Sequence, residues 1–188
     1  MSRQNKYYKP GGKLFMYAKN NMKESIKKIP ANQDEITLYC FVGEALWKIQ
    51  IVEQALSHSI TLKMNPAATK ESADEFLKQH QSYTLGKAIK VAINEKLYNS
   101  SLQDELNGFL VQRNWLVHKA MSDSFHGLNW ESKKEELFQK VKSISDRAEN
   151  IQREVEYDMI SFCSSKGKDM SKILALLKSQ GEGVRVKM

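Results

Sequence analysis

Apolar residues recur every three or four positions along most of this chain, the spacing that places them on one face of an α-helix. One such stripe lies within residues 34–62, and it consists of Leu38, Val42, Ala45, Ile49, Val52 and Leu56. A second begins after Trp130, and it consists of Leu137, Val141, Ile144, Ala148, Ile151, Val155 and Phe162. Asp158 interrupts the second stripe, and we expect it to be a surface or register residue. Both stripes predict long helices that pair through their apolar faces.

Shorter helices are predicted between and after the two long ones. Polar breaks separate a helix ending near His80, a helix beginning at Ser82 or Thr84, and a helix over residues 102–121. Gly167 ends the second long helix, and residues 170–178 form a last short one. Only 9 glycines and 3 prolines punctuate the 188 residues, which favours helices over strands. The predicted fold is all-α, a helical bundle with two long antiparallel helices and several shorter ones.

The charge is concentrated at the start of the chain. The formal net charge is +7, and residues 1–30 carry all of it, because their basic residues are opposed by Glu24 alone. We therefore divide the chain into a basic arm over residues 1–30, a bundle over 31–180 and a flexible tail over 181–188. A helix is predicted over residues 13–29, and its lysines are candidates for RNA binding. They are Lys13, Lys19, Lys23 and Lys27.

Two interpretations of the arm stand side by side. A localised basic segment attracts nucleic acid by releasing counterions from phosphate, and its interleaved tyrosines and phenylalanines can stack on bases. A solvated arm that lysine keeps soluble has the same composition.

Cysteine content and hydropathy bear on the compartment. Cys40 and Cys163 are too few for the disulfide scaffold of a small secreted protein, which favours the reducing cytosol. The N-terminal residues lack the apolar core of a signal peptide. No run approaches the roughly 18 apolar residues that a membrane helix needs. The sequence predicts a cytoplasmic protein.

The helix over residues 102–121 carries polar residues where apolar ones are expected. On a helical wheel, one face combines Arg113 with the apolar residues Leu102, Leu106, Phe109, Leu116, Val117 and Ala120. Val111, Trp115 and His118 form a second stripe nearly opposite, and Asn114 lies one turn before His118. A helix with two apolar faces is covered on both. One face packs against the helix's own bundle, and the other packs against a further part of the bundle or against a second copy of the chain.

The positions of Arg113 and His118 on the helix limit the kind of site that they can form. A guanidinium on an apolar face needs an acceptor or a phosphate, and Glu44, Glu53 and Glu105 are candidate partners. Arg113 and His118 are five residues apart, which is about 140° around a helix axis. We therefore predict that any site using both is completed by a partner protomer. A structural histidine and a structural ion pair remain the alternatives to a reaction centre.

Arg113-Asn114, three residues and then His118 resemble the signature of HEPN domains. These domains are small all-α bundles whose motif is an arginine, four to six residues and a histidine, often with a polar residue after the arginine. The resemblance covers about residues 34–166, and Thr84-Leu85-Gly86 is weakly similar to bacterial members.

The resemblance implies a metal-independent endoribonuclease of toxin–antitoxin or phage-defence systems, active as a homodimer without cofactors. His118 would be the general acid or base, Arg113 would hold the scissile phosphate, and Asn114 would orient either. An antitoxin or defence protein would be a further partner. Some members carry a modifiable tyrosine where this chain has Ala120, so that control is not expected here. The alternative is a non-catalytic HEPN-like module that binds RNA or a nucleotide, or acts as an adaptor.

No metal site is predicted, because the other histidines lack neighbours at ligand spacing. They are His58, His80 and His126.

Overall fold

The computed structural model describes residues 30–66, 69–120, 122 and 130–181, and these residues are almost entirely helical. The helices are α1 (Gln33–Met64), α2 (Lys70–Gln81), α3 (Leu85–Asn94), α4 (Ser100–His118), α5 (Trp130–Ser165) and α6 (Ser171–Gly181). No strand occurs among the described residues, so the prediction of an all-α fold is confirmed. The predicted basic arm with its helix, the turn over residues 123–129 and the tail over 182–188 lie outside the described residues.

Short polar side chains determine where the three shorter helices begin. Thr69, Thr84 and Asn99 each precede a helix in an extended conformation and accept a hydrogen bond from a backbone N–H of its first turn. The Asn99 bond to the N–H of Leu102 is the shortest, at 2.9 Å. These bonds satisfy N–H groups that have no partner inside the helix. Of the two predicted starting points for the third helix, Thr84 is the correct one.

Gly167 terminates α5 as predicted. It has a φ of +77°, a left-handed conformation that a residue with a Cβ rarely adopts. Its N–H donates to the carbonyl of Ser164 at 2.9 Å, and the N–H of Lys168 reaches the carbonyl of Cys163 at 3.1 Å. The last carbonyls of the helix are therefore satisfied as the chain turns towards α6.

The predicted apolar stripes form the core. On α1, α4 and α5 the stripe residues are mostly less than one tenth exposed, and Val52, Leu56, Phe109, Val141 and Val155 are fully buried. The exceptions are Val42 and Phe162, which are half-buried, and Val117 of α4, which is exposed. Leu85, Ile89 and Ala92 of α3 complete the same cluster. Periodicity therefore identified the buried faces of the long helices correctly.

The two long helices run parallel, so the prediction of an antiparallel pair is wrong. Among the described residues, the polar and aromatic side-chain contacts between them join residues whose numbers rise together along both helices. These contacts include Asp34–Lys134, Phe41–Phe138, Glu44–Ser145, Lys48–Glu149 and Lys63–Asp158. An apolar stripe specifies which face of a helix is buried but carries no information about direction.

The return pass between the long helices is made by α4. Glu105, near its start, contacts Arg147, while Trp115, near its end, contacts Lys140, so α4 is antiparallel to α5. Because α4 occupies the antiparallel position, α5 runs in the same direction as α1.

Of the two roles expected for Asp158, the structure supports that of a register residue. Its carboxylate, on a side chain that is 28% exposed, pairs with the ammonium of Lys63, whose side chain is only 7% exposed. The same ammonium donates to the carbonyl of Leu97 at 2.7 Å and lies 4.4 Å from the centre of the Tyr98 ring. One lysine thus joins α1, the segment before α4, and α5.

One side of α1 presents apolar side chains to solvent. They recur at helical spacing and are Ile36, Tyr39, Leu46 and Trp47, with Trp47 67% exposed. Within the described residues, no helix combines the length and apolarity required to cross a bilayer.

Candidate functional site

The core face of α4 is mostly as predicted. Leu102, Leu106, Phe109 and Leu116 are buried, as is Ala120 just beyond the helix. Val117 is 44% exposed, so its assignment to the core was wrong. It lies at the edge of this face, in the last turn, where packing against neighbouring helices ends.

Arg113 lies between this core and a carboxylate of α1. Its Nη2 is 3.8 Å from Oε1 of Glu53, and both side chains are about one quarter exposed. Its Nη1 donates to Oδ1 of Asn114 at 3.4 Å, which is a long hydrogen bond. Its Nε is buried and has no hydrogen-bond partner among the described residues. The guanidinium is therefore neutralised by Glu53 but keeps hydrogen-bonding capacity unused.

The two other candidate partners of Arg113 are occupied elsewhere. Glu44 pairs with Lys48 at 3.0 Å, and that hydrogen bond holds the pKa of Glu44 below its ordinary value. Glu105 accepts from Nε of Arg147 at 2.6 Å, which likewise lowers the pKa of Glu105. Of the three carboxylates, Glu53 alone faces Arg113.

A second stripe of α4 consists of Val111, Asn114, Trp115 and His118, and we call it the motif face. Val111 is 69% exposed, and Asn114 and His118 are exposed as well. Trp115 is half-buried, since it packs against the hydrophobic core, and the ammonium of Lys140 lies 3.5 Å from its ring centre. The expectation that both faces of this helix are buried therefore fails for a single chain, although a second copy remains able to cover the motif face.

The structure does not bring His118 to Arg113. Within the described part of the chain, no hydrogen bond or ion pair joins the side chain of His118 to any residue. The two side chains leave α4 about 140° apart, as the wheel predicts. Arg113 turns towards α1, while His118 stands at the C-terminal end of the helix in solvent. A site that uses both needs a second protomer, and that requirement stays a prediction.

A polar crevice of about 360 Å³ lies beside Arg113, and sequence patterns did not reveal it. Its lining comes from α1, the end of α2 and the segment before α3. The lining residues are Gln50, Glu53, Gln54, Ser57, Gln81 and Tyr83. Glu53 belongs to this lining and also pairs with Arg113, whose own side chain is not part of the lining. The spacing of Gln50, Glu53 and Gln54 along one helix was the only sequence signal for it.

A larger crevice of about 540 Å³ lies between α1, α5 and α6. Trp47, Tyr157 and Leu177 give it apolar walls, while Lys48 and Arg153 are among its charged residues. It contains none of the motif residues.

The predicted RNA-binding lysines, Lys13, Lys19, Lys23 and Lys27, lie outside the described residues. Among the residues that are described, no three His, Cys, Asp or Glu side chains form a group able to hold a metal ion. Comparison with protein-family models, with curated proteins and with solved structures found no match to this chain.

Proposed function

We propose that this chain is a metal-independent endoribonuclease of HEPN type that cuts RNA through its own 2′-hydroxyl. The proposal rests on the different environments that α4 gives to Arg113 and to His118. Arg113 is half-buried with its nearest carboxylate 3.8 Å away, whereas Asn114 and His118 stand exposed on the motif face. A cation with spare donors and an accessible histidine are the two groups that phosphate transesterification requires.

His118 acts as the general acid or base. Histidine exchanges protons near neutral pH, so it can take the proton of the 2′-hydroxyl or supply one to the departing 5′-oxygen. Its exposure gives a substrate access to both ring nitrogens. The products are an RNA with a 2′,3′-cyclic phosphate and an RNA with a 5′-hydroxyl.

Arg113 binds the scissile phosphate and stabilises the charge added in the transition state. A guanidinium can donate two parallel hydrogen bonds to phosphate. Its present partner is a single carboxylate at 3.8 Å, a separation longer than a direct hydrogen bond. A phosphate can therefore enter without breaking a tight pair. Asn114 steadies the guanidinium through its side-chain oxygen.

The reacting groups come from two protomers. An exposed valine beside a half-buried tryptophan gives the motif face an apolar centre, and a two-fold axis brings such a patch against its own copy. Val111→Asp should dissociate the dimer in sedimentation experiments and abolish cleavage. A monomer that retains full activity contradicts this part of the proposal.

The decisive experiment incubates single-stranded RNA with the protein in excess chelator. Wild type should leave cyclic phosphate ends, and His118→Ala and Arg113→Ala should lower the rate by about two to four orders of magnitude. His58→Ala is the matched control, because His58 is also an exposed histidine of a helix but lies on α1. Cleavage by His118→Ala at the wild-type rate refutes the proposed chemistry.

The ion pair with Glu53 favours one rival, a non-catalytic HEPN-like module in which Arg113 serves RNA binding or structure. RNA binding without cleavage by wild type identifies that module.

We further propose that the enzyme is a cytoplasmic toxin or defence effector, so its expression in bacteria should arrest growth only when His118 is intact.

A further inference from the structure

We infer that the polar crevice beside Arg113 is a nucleobase-binding subsite that selects an unpaired adenine next to the cleaved phosphate. The inference rests on the proposed function for its RNA substrate, and it assigns the crevice a role that the motif residues do not have. The inference is supported by three glutamine side chains that line one small cavity and whose amide groups form no hydrogen bond with other described residues.

The amides are free to bind a ligand. Gln50, Gln54 and Gln81 line the crevice, and no hydrogen bond joins their side chains to any other residue in the described ranges. Their exposure leaves each amide with both a donor and an acceptor for a ligand. The hydroxyl of Ser57, by contrast, already donates its hydrogen to the carbonyls of Glu53 and His80, at 2.9 and 3.2 Å.

A neutral amide is complementary to adenine. The N6 amino group of adenine donates while N7 accepts, and the glutamine amide offers the opposite pair in the same plane. Unpaired bases of single-stranded RNA are recognised in this way, through their exposed edges. The volume of about 360 Å³ is at the small end of the range for ligand pockets, which suits one nucleotide.

Positively charged side chains near the crevice can bind the phosphates of a nucleotide. Arg113 pairs with Glu53 of the lining, and we place the scissile phosphate at this arginine. The ammonium of Lys87 lies 3.7 Å from the centre of the Tyr83 ring and provides a second cation near the lining. A base held between these cations has its flanking phosphates within reach of positive charge.

The first test sequences the ends left when the protein cleaves an RNA pool of random sequence. Wild type should enrich adenine at one position beside the cut by about tenfold, within the discrimination expected of a good amide–base pair. Gln54→Ala and Gln81→Ala should remove most of this enrichment, because cleavage beside adenine should fall towards the rate beside the other bases. Gln139→Ala is the control, because Gln139 is an exposed glutamine of α5 outside this crevice.

A second test is independent of cleavage. Adenosine and uridine 5′-monophosphates are titrated into the protein while the glutamine side-chain amides are followed by NMR. Adenosine monophosphate should bind about fivefold more tightly or better, and both glutamine variants should lose that difference.

The two tests separate failure of the subsite from failure of the ribonuclease. Cleavage without base preference, or with a preference that both glutamine variants retain, overturns the subsite and leaves the ribonuclease intact. Enrichment of a different base that the variants erase overturns the assignment to adenine. Adenine-selective binding without any cleavage overturns the ribonuclease and keeps the subsite. The absence of both cleavage and adenine-selective binding overturns both.

Discussion

Arg113 of α4 and Glu53 of α1 form an ion pair with a 3.8 Å separation, and this pair links the proposed catalytic arginine to the polar crevice. Glu53 neutralises a cation that the apolar face of α4 cannot otherwise accommodate. It also competes with any phosphate that approaches the same guanidinium.

Glu53→Gln should separate these two effects. The pair is long and partly exposed, so its loss should lower the free energy of unfolding by about 1 kcal/mol or less. RNA affinity should rise by about threefold or more, because the variant removes a negative charge near the phosphate site. Urea unfolding and a filter-binding titration measure the two quantities. Weaker RNA binding by the variant would show that Glu53 positions Arg113 rather than competing for it.

The pair of Lys63 and Asp158 should behave differently, because the lysine side chain is only 7% exposed. Asp158→Ala leaves a buried ammonium without its counter-charge and should cost about 3 kcal/mol or more in urea unfolding. The double variant Lys63→Met with Asp158→Leu should recover most of that loss, since it leaves no buried charge. Arg153→Ala, which breaks an exposed pair with Glu149, is the control and should change stability by less than about 0.5 kcal/mol. Equal costs for Asp158→Ala and Arg153→Ala would contradict the burial argument.

His80 should make stability depend on pH around and below its ordinary pKa of 6.5. Burial, and secondarily the nearby charge of Lys87, holds the pKa of His80 below its ordinary value of 6.5. The unfolded chain therefore binds a proton at a pH where the native state does not, and stability falls as the pH drops below about 6.5.

The hydrogen bonds of His80 indicate which neutral form is buried. Nδ1 of His80 lies 2.8 Å from the Thr61 hydroxyl, whose own hydrogen is donated to the carbonyl of Ser57 at 2.8 Å. Nδ1 therefore carries the hydrogen and donates to Thr61. His80→Gln should flatten the pH dependence of urea unfolding, whereas His58→Gln, at an exposed histidine, should leave it unchanged. A slope that survives in His80→Gln would assign the effect to other groups.

Gly108 and Arg147 should be energetically coupled. A Cβ at position 108 would lie 2.7 Å from Nη2 of Arg147, the guanidinium that also holds Glu105. Gly108→Ala gains about 0.5–1 kcal/mol of helix stability but displaces that guanidinium, so its net effect should be close to zero. In an Arg147→Ala background the gain should be measurable in full. A double-mutant cycle by urea unfolding gives the coupling, and identical effects of Gly108→Ala in both backgrounds would exclude it.

Local features of this fold were predictable from the sequence, and relationships between distant segments were not. The stripes on α1, α4 and α5 follow from the helical repeat, and the cap at Thr84 follows from the hydrogen-bonding capacity of threonine. The parallel course of α1 and α5 did not follow, because a stripe has no direction. The partner of Asp158 could not be identified from the sequence, because it lies 95 positions away along the chain.

The candidate site was only partly predictable for the same reason. The wheel separated Arg113 from His118 correctly and limited the partners of Arg113 to three carboxylates. It did not distinguish Glu53 from the other two, because that choice depends on how α1 and α4 pack. The crevice depends on α2 as well. Gln81 at the end of that helix and Tyr83 just after it meet Gln50 and Gln54 of α1 only in the folded chain.

The contacts of Lys63 also make it a covalent reporter of the native state. Its amine is enclosed by a carboxylate, a backbone carbonyl and an aromatic ring, whereas most other lysines of the bundle extend into solvent. Acylating reagents should therefore modify Lys63 only in molecules that have opened, and the rate of that reaction, followed by mass spectrometry of the Lys63 peptide, reports how often the three segments separate.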